Sequence, residues 1–131
     1  NNIFDQNSVS KINLLGYALQ KIKIDKISSL AYLVLSQKEL EQFDFQKGDS
    51  EGFVNYCLSI KNIKNAVFLR QDKSLIKISL RSKGDVKMNE FSQKYYGGGG
   101  HQNAAGAAVE SNDIDTVTKK LIENFRSFCS V

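Results

Sequence analysis

Four consecutive glycines, Gly97–Gly100, run directly into the only histidine of the chain, His101, and this stretch restricts the fold more than any other. Glycine loses more conformational freedom on ordering than any other residue, so a folded chain keeps four in a row where the backbone must come close to something. The run has to stop the helical pattern before it, Met88 to Tyr95, which buries Met88, Phe91 and Tyr95. Beyond it Ala104 to Val109 is small and apolar, suiting a tight turn and then a short strand. Without Cβ atoms, successive N–H groups are free to turn toward one anion, and His101 adds a donor at the end of the loop. The bland alternative is a flexible connector between helix and strand. No G-x-G-x-x-G pattern and no lysine-serine pair is present, so this is not a nucleotide fingerprint of the usual kind.

The rest of the chain frames that loop. Its 131 residues, 41% hydrophobic and 24% charged, amount to one domain with a core of its own. Ile12, Leu15, Leu19 and Ile22 mark the inner stripe of an amphipathic helix over Ser8 to Lys23, capped by Asn7 or Ser8. Leu30 to Leu35 is a continuous apolar run, the mark of a strand covered on both faces. Ser36 and Glu39 have the spacing of a capping box and open a short helix with Leu40 and Phe43 inward. Asp49 is expected to cap the next helix, whose inner stripe is Phe53, Tyr56, Cys57 and Ile60. Asn65 to Asp72 and Leu75 to Ser82 read as an antiparallel hairpin. A last helix starts near Asn112 or Asp113 and buries Ile114, Val117, Leu121, Phe125 and Phe128. The expected fold is α/β: a single compact domain with a mixed sheet, a central antiparallel hairpin and flanking helices.

Charge follows the same geography. Lys64 to Lys94 holds eight basic and three acidic residues, a net +5, while the remainder of the chain is at −1. Side chains alternate along a strand, so Ile76, Ile78 and Leu80 face the core while Lys77, Ser79 and Arg81 face out. The guanidinium of Arg81 is a planar fork suited to two-point contact with phosphate oxygens.

Other chemistries find little support. Cys57 and Cys129 fit neither a zinc spacing nor a disulfide framework, and Cys57 sits on an apolar stripe as core filler. One histidine cannot build a multi-histidine metal centre. No segment has the length of a membrane span or the form of a secretion signal, so the expectation is a cytoplasmic protein with no membrane partner.

The segment GGGGHQNAAG, Gly97 to Gly106, resembles the GGGH-x-x-A-A-G signature of the DHH-associated domain, the C-terminal substrate-binding domain of DHH-family phosphoesterases in the oligoribonuclease and pAp phosphatase branch. Ser79 to Ser82 and the helix that follows match its layout, and the resemblance covers essentially the whole chain. It implies a parent enzyme whose N-terminal domain binds manganese and cleaves, with this domain folding over the cleft to hold a short oligonucleotide or a nucleotide phosphate. On that basis residues 1–25 are a linker helix from an upstream catalytic domain and 26–131 the substrate-binding domain. The implied contacts are Arg81, Ser82, Gly98, Gly99, Gly100 and His101, with Asn103. The implied partners are the parent's own DHH domain and a second copy of the parent. The Asp-His-His motif and the other metal ligands are absent from this chain, so it is expected to bind and not to cleave, and no catalytic or metal-ligating residue is assigned to it. Two rivals stand beside this reading. One is a nucleic-acid module like the related C-terminal domain of alanyl-tRNA synthetases. The other is an oligomerisation unit with the glycines as a packing loop.

Overall fold

The computed structural model describes residues 8–131. Ser8 opens α1 (Val9–Lys21) by accepting a hydrogen bond from the Lys11 amide; Asn7, the other expected cap, lies outside the described residues. Then come β1 (Lys23–Asp25), β2 (Leu30–Leu35), α2 (Gln37–Gln42) and α3 (Phe53–Leu58). The hairpin of β3 (Asn65–Asp72) and β4 (Leu75–Ser82) leads into α4 (Met88–Tyr96). A second hairpin, β5 (Gly99–His101) and β6 (Ala104–Glu110), precedes α5 (Ile114–Cys129). The strands form one mixed sheet in the order β1-β2-β3-β4-β6-β5. β2 and β3 are parallel and all other neighbours antiparallel. This is the α/β architecture expected, with the β3–β4 hairpin central and helices on both faces. No helix among the described residues is long and apolar enough to cross a membrane.

Alternation along the strands sorts the core into two layers. On one face Val67, Leu69, Ile76, Ile78 and Leu80 pack beneath α4 and α5, against Met88, Phe91, Leu121 and Phe125. On the other, Ala31, Leu33, Leu35, Ala66 and Phe68 are covered by Leu14 and Ala18 of α1, Leu40 of α2 and Phe53, Val54 and Cys57 of α3. Burial pushes the Cys57 thiol up to about 11, so it is inert packing at neutral pH. This second helical layer covers β2 and β3 and leaves most of β4, β6 and β5 uncovered.

Two expectations are corrected. In α1 the buried residues are Leu14 and Ala18, with Ile12 52% and Leu19 42% exposed. The helix carries apolar residues on two sides, and the side bearing the small Ala18 is the one turned to the core. The second correction concerns α3, which starts at Gly52 in the left-handed region with no side-chain cap, while Asp49 accepts a hydrogen bond from the Gln46 amide; Tyr56 is exposed. Within the described part of residues 1–25, α1 places Leu14 and Ala18 in the core and β1 pairs with β2. Asp25 of β1 is buried and accepts hydrogen bonds from Ser28 Oγ and from Nε and Nη2 of Arg126, which pins α5 to the sheet edge. The Arg126 guanidinium holds the Asp25 carboxyl below its ordinary range.

α1 is tied to the body through Glu39. Its carboxylate closes the expected capping box with Ser36 and also accepts from the Tyr17 hydroxyl and the Lys21 ammonium. Burial alone would raise its pKa, but Lys21, the Ser36 amide and Tyr17 together outweigh that and hold it at about 2. A carboxylate depressed in the folded state contributes stability above its unfolded pKa and loses it as pH falls through the folded value. Glu39→Gln is therefore expected to be roughly 2 kcal/mol less stable than the parent at neutral pH, with the gap closing between about pH 4 and pH 2. Urea midpoints along that acid limb measure it, and a gap that stays constant with pH contradicts the ionic role.

Candidate functional site

Residues directly opposite in an antiparallel ladder project to the same face, so register alone builds the site. Arg81 pairs with Ala104 of β6, and Ala104 pairs with His101 of β5. Arg81, Ala104 and His101 thus form one row across the uncovered face. The next row is Ser79, Gly106 and Gly99, and beyond it Lys77 faces Ala108. Two strand spacings, about 10 Å, separate the Arg81 and His101 backbones. Only the methyl of Ala104 lies between them. The result is a flat floor of Gly99, Ala104, Gly106 and Ala108 with a guanidinium on one side and an exposed imidazole on the other.

The glycines divide the labour of the loop among themselves. Gly97 ends α4 in the left-handed conformation at φ 66° and donates its amide to Gln93 O. Gly98 donates to Ser92 O at 3.2 Å. A Cβ on Gly98 would meet Gly106 O and Ser92 Oγ at 2.3 Å. Gly100, at φ 139°, passes so close to β6 that a Cβ would lie 2.5 Å from Ala105 Cα. Gly97 and Gly99 have open space where a side chain would be, and of the two only Gly99 lies outside the left-handed region. The expected cradle of free amides is therefore narrower than the run: the amides of Gly97 and Gly98 are spent on the end of α4, which leaves Gly98 a packing role. Gly99, Gly100 and His101 form the outermost strand of the sheet, where alternate N–H groups point away from β6.

Ser82 and Asn103, also expected among the contacts, are engaged with each other. Ser82 is buried, donates to Val86 O at 2.8 Å and accepts from Asn103 Nδ2 at 2.9 Å, while its amide donates to Asn103 O. The Met88 amide donates to Gln102 O at 2.8 Å. These bonds clamp the β5–β6 turn onto the end of β4 and the start of α4, holding His101 in register with Arg81. Arg81 Nη1 is itself steadied by Leu80 O at 2.9 Å and Ala105 O at 3.4 Å. No carboxylate among the described residues lies within ion-pair reach of it.

Arg81 opens into a hollow of about 250 Å³ that also takes in Ser79, Lys77 and Arg70, walled by Ser50, Glu51 and Gly52 before α3. Reading the strands one at a time missed Arg70. Counting back from the Lys73-Ser74 turn would have placed it opposite Lys77, because the register runs Asp72 to Leu75 and then Arg70 to Lys77. Among the described residues no three of His, Cys, Asp and Glu come together as a metal site. The described residues do not provide a ligand set for the manganese implied for an upstream domain.

The family profile described as the DHHA1 domain matches residues 27–127. The chain belongs to the DHHA1 family. Among curated relatives, this DHHA1 domain is similar to the bifunctional oligoribonuclease and PAP phosphatase NrnA of Thermus thermophilus, at 36% identity over 60% of the chain and 24% of that protein. It is also similar to the protein of the same name in Bacillus subtilis, at 29% identity over 85% of the chain and 36% of that protein. A solved structure, the exopolyphosphatase-related protein of Bacteroides fragilis, superposes with a TM-score of 0.88 and 38% identity, covering 96% of the chain and 37% of that protein. The chain thus spans 24% to 37% of the length of these three proteins.

Proposed function

We propose that the chain is the substrate-holding part of a phosphoesterase acting on short oligonucleotides or phosphorylated nucleotides such as pAp. The uncovered sheet face receives a terminal phosphate between Arg81 and His101. One observation carries this reading: the register sets a guanidinium with no carboxylate in ion-pair reach among the described residues and an exposed imidazole on either side of a floor with no side chain larger than a methyl. A phosphate held there turns its ester bond outward, toward whatever domain covers the face, and manganese chemistry belongs to that upstream domain of the same polypeptide. The relatives named for oligoribonuclease and PAP phosphatase activity support this assignment of substrate class.

The test is calorimetric titration with adenosine 5′-monophosphate, pAp and 5′-phosphorylated oligoadenylates. Arg81→Ala removes a charge-assisted two-point contact and is expected to weaken binding roughly ten- to a hundredfold. Gly99→Ala places a methyl on the floor without touching the protein, so it should weaken binding while leaving the melting temperature in place. Absence of binding by the wild-type chain to all three ligand classes sinks the reading. The tRNA-binding alternative predicts a steep salt dependence from many neutralised phosphates, whereas one or two phosphates give a shallow one. Two side chains flanking a small floor favour the shallow slope.

A further inference from the structure

Arg70 and Lys77 stand directly opposite each other on β3 and β4, at the margin of the α1–α3 layer on that face of the sheet. Like charges in that position repel across about 5 Å and weaken a sheet, so the pair needs a compensating anion. The protein supplies little of one. Arg70 has no carboxylate in ion-pair reach among the described residues, and its guanidinium rests over the Phe45 ring, 5.2 Å from the centroid. Among the described residues Lys77 meets only Asp72, at 3.6 Å, with both side chains nearly half exposed, a pair weak enough to be exchanged for a stronger anion. The same hollow that holds both cations also reaches Arg81 and has Glu51 in its wall, and a second hollow continues from them along Gln71, Phe45 and Lys47 with Glu41, Asp44 and Asp72 in its lining; among the described residues Asp72 is the one of these carboxylates within ion-pair reach of either cation. Arg81 lies four residues from Lys77 on β4, about 13 Å along the strand, so an anion forked on Arg81 does not also fill the gap between Arg70 and Lys77.

We propose that Arg70 and Lys77 form a second anion station, which takes an internal phosphodiester of a short oligonucleotide whose terminal phosphate sits at Arg81 and His101. The trough between them is the track of the intervening nucleotide, and Phe45 holds the Arg70 guanidinium at its far end. The proposal rests on the terminal-phosphate reading and extends it: one station accepts any phosphorylated nucleotide, and two together select for a chain.

The test compares the 131-residue chain with Arg70→Gln and Lys77→Gln in titrations against adenosine 5′-monophosphate, 5′-phosphorylated triadenylate and inorganic tripolyphosphate. Both residues lie outside the buried core, and glutamine keeps part of each stem, so thermal melts should match the parent. Each substitution is expected to weaken triadenylate roughly tenfold and to leave the monophosphate unchanged. The salt slope for triadenylate should fall by about 0.7, one single-strand phosphate's worth. Equal weakening of triadenylate and monophosphate, or of neither, overturns the proposal. A loss for tripolyphosphate as large as that for triadenylate overturns the assignment to an oligonucleotide. If the wild-type chain binds neither nucleotide, both readings fall, whereas retained monophosphate binding with no dependence on length removes the second station alone.

Discussion

Gly98→Ala is expected to lower the melting temperature by on the order of 10 °C, about 3 kcal/mol or more, whereas Gly99→Ala next to it should change stability by less than about 0.5 kcal/mol. The two residues share composition, sequence environment and exposure to the same loop, and differ only in what a methyl would meet. At Gly98 the methyl lands 2.3 Å from Gly106 O and from Ser92 Oγ and 2.9 Å from Ala107 Cβ. Two of these belong to β6, which is locked between β4 and β5 and cannot retreat. Ser92 Oγ also donates to Gly106 O at 2.8 Å, so the methyl either breaks this buried bond, costing about 1–3 kcal/mol, or levers the end of α4 off the sheet. Gly100→Ala should behave like Gly98→Ala, because it combines φ 139° with a backbone clash against Ala105. Gly97→Ala should fall between, at about 1–2 kcal/mol for a left-handed residue with a side chain. Thermal and urea unfolding followed by circular dichroism measure the series. A Gly98→Ala variant that melts with the parent would refute the close approach of α4 to β6 on which the position of His101 depends.

That ordering of the glycines also marks the limit of what the sequence discloses. Sequence reasoning finds the run and cannot say which glycine does what, because each clash is with β6 or Ser92 and exists only once the hairpin is folded. The strand β5 is invisible for a related reason: Gly99 and Gly100 pair through the backbone alone and leave no side-chain alternation to read. β1 fails on length, since Lys23–Asp25 is too short to show a period. Where side chains do the specifying, the reading is accurate. The bounds of β3 and β4 follow from alternation and the turn between them, and the capping box at Ser36 and the Asp113 cap of α5 both stand as expected. Site residues divide along the same line. Arg81 and Lys77 are legible as the outward face of a strand, while Arg70 joins them only through register. Asn103 belongs to the signature stretch and Ser82 to the strand before it, and the hydrogen bonds between them that clamp the turn exist only once the hairpin is folded.

The second large effect is expected at Phe91, the buried centre of the contact between α4 and α5, which Tyr95 on Phe128 and Asn124 Nδ2 donating to the Tyr96 hydroxyl extend on either side. Its ring is fully buried and lies 5.2 Å from Tyr95, 5.9 Å from Tyr96, 5.2 Å from Phe125 and 5.4 Å from Phe128, meeting Phe125 edge-on at 89°. Truncation to alanine leaves a cavity the size of a phenyl ring, with rings on several sides that cannot all collapse inward, so Phe91→Ala should cost about 3–5 kcal/mol. Phe91→Leu retains most of the volume and loses the edge-to-face pairing, and is expected to cost about 1–1.5 kcal/mol. Stability alone would not distinguish a general core defect from loss of support to the site, so the informative readout is amide hydrogen exchange in the Leu variant, where the fold persists. If α4 holds the hairpin in place through Ser92, exchange at Gly98 and at the Met88 amide, which donates to Gln102 O, should accelerate more than exchange in the β2–β3 ladder. Uniform acceleration across both regions would show that Phe91 supports the core as a whole and that the β5–β6 clamp stands without it.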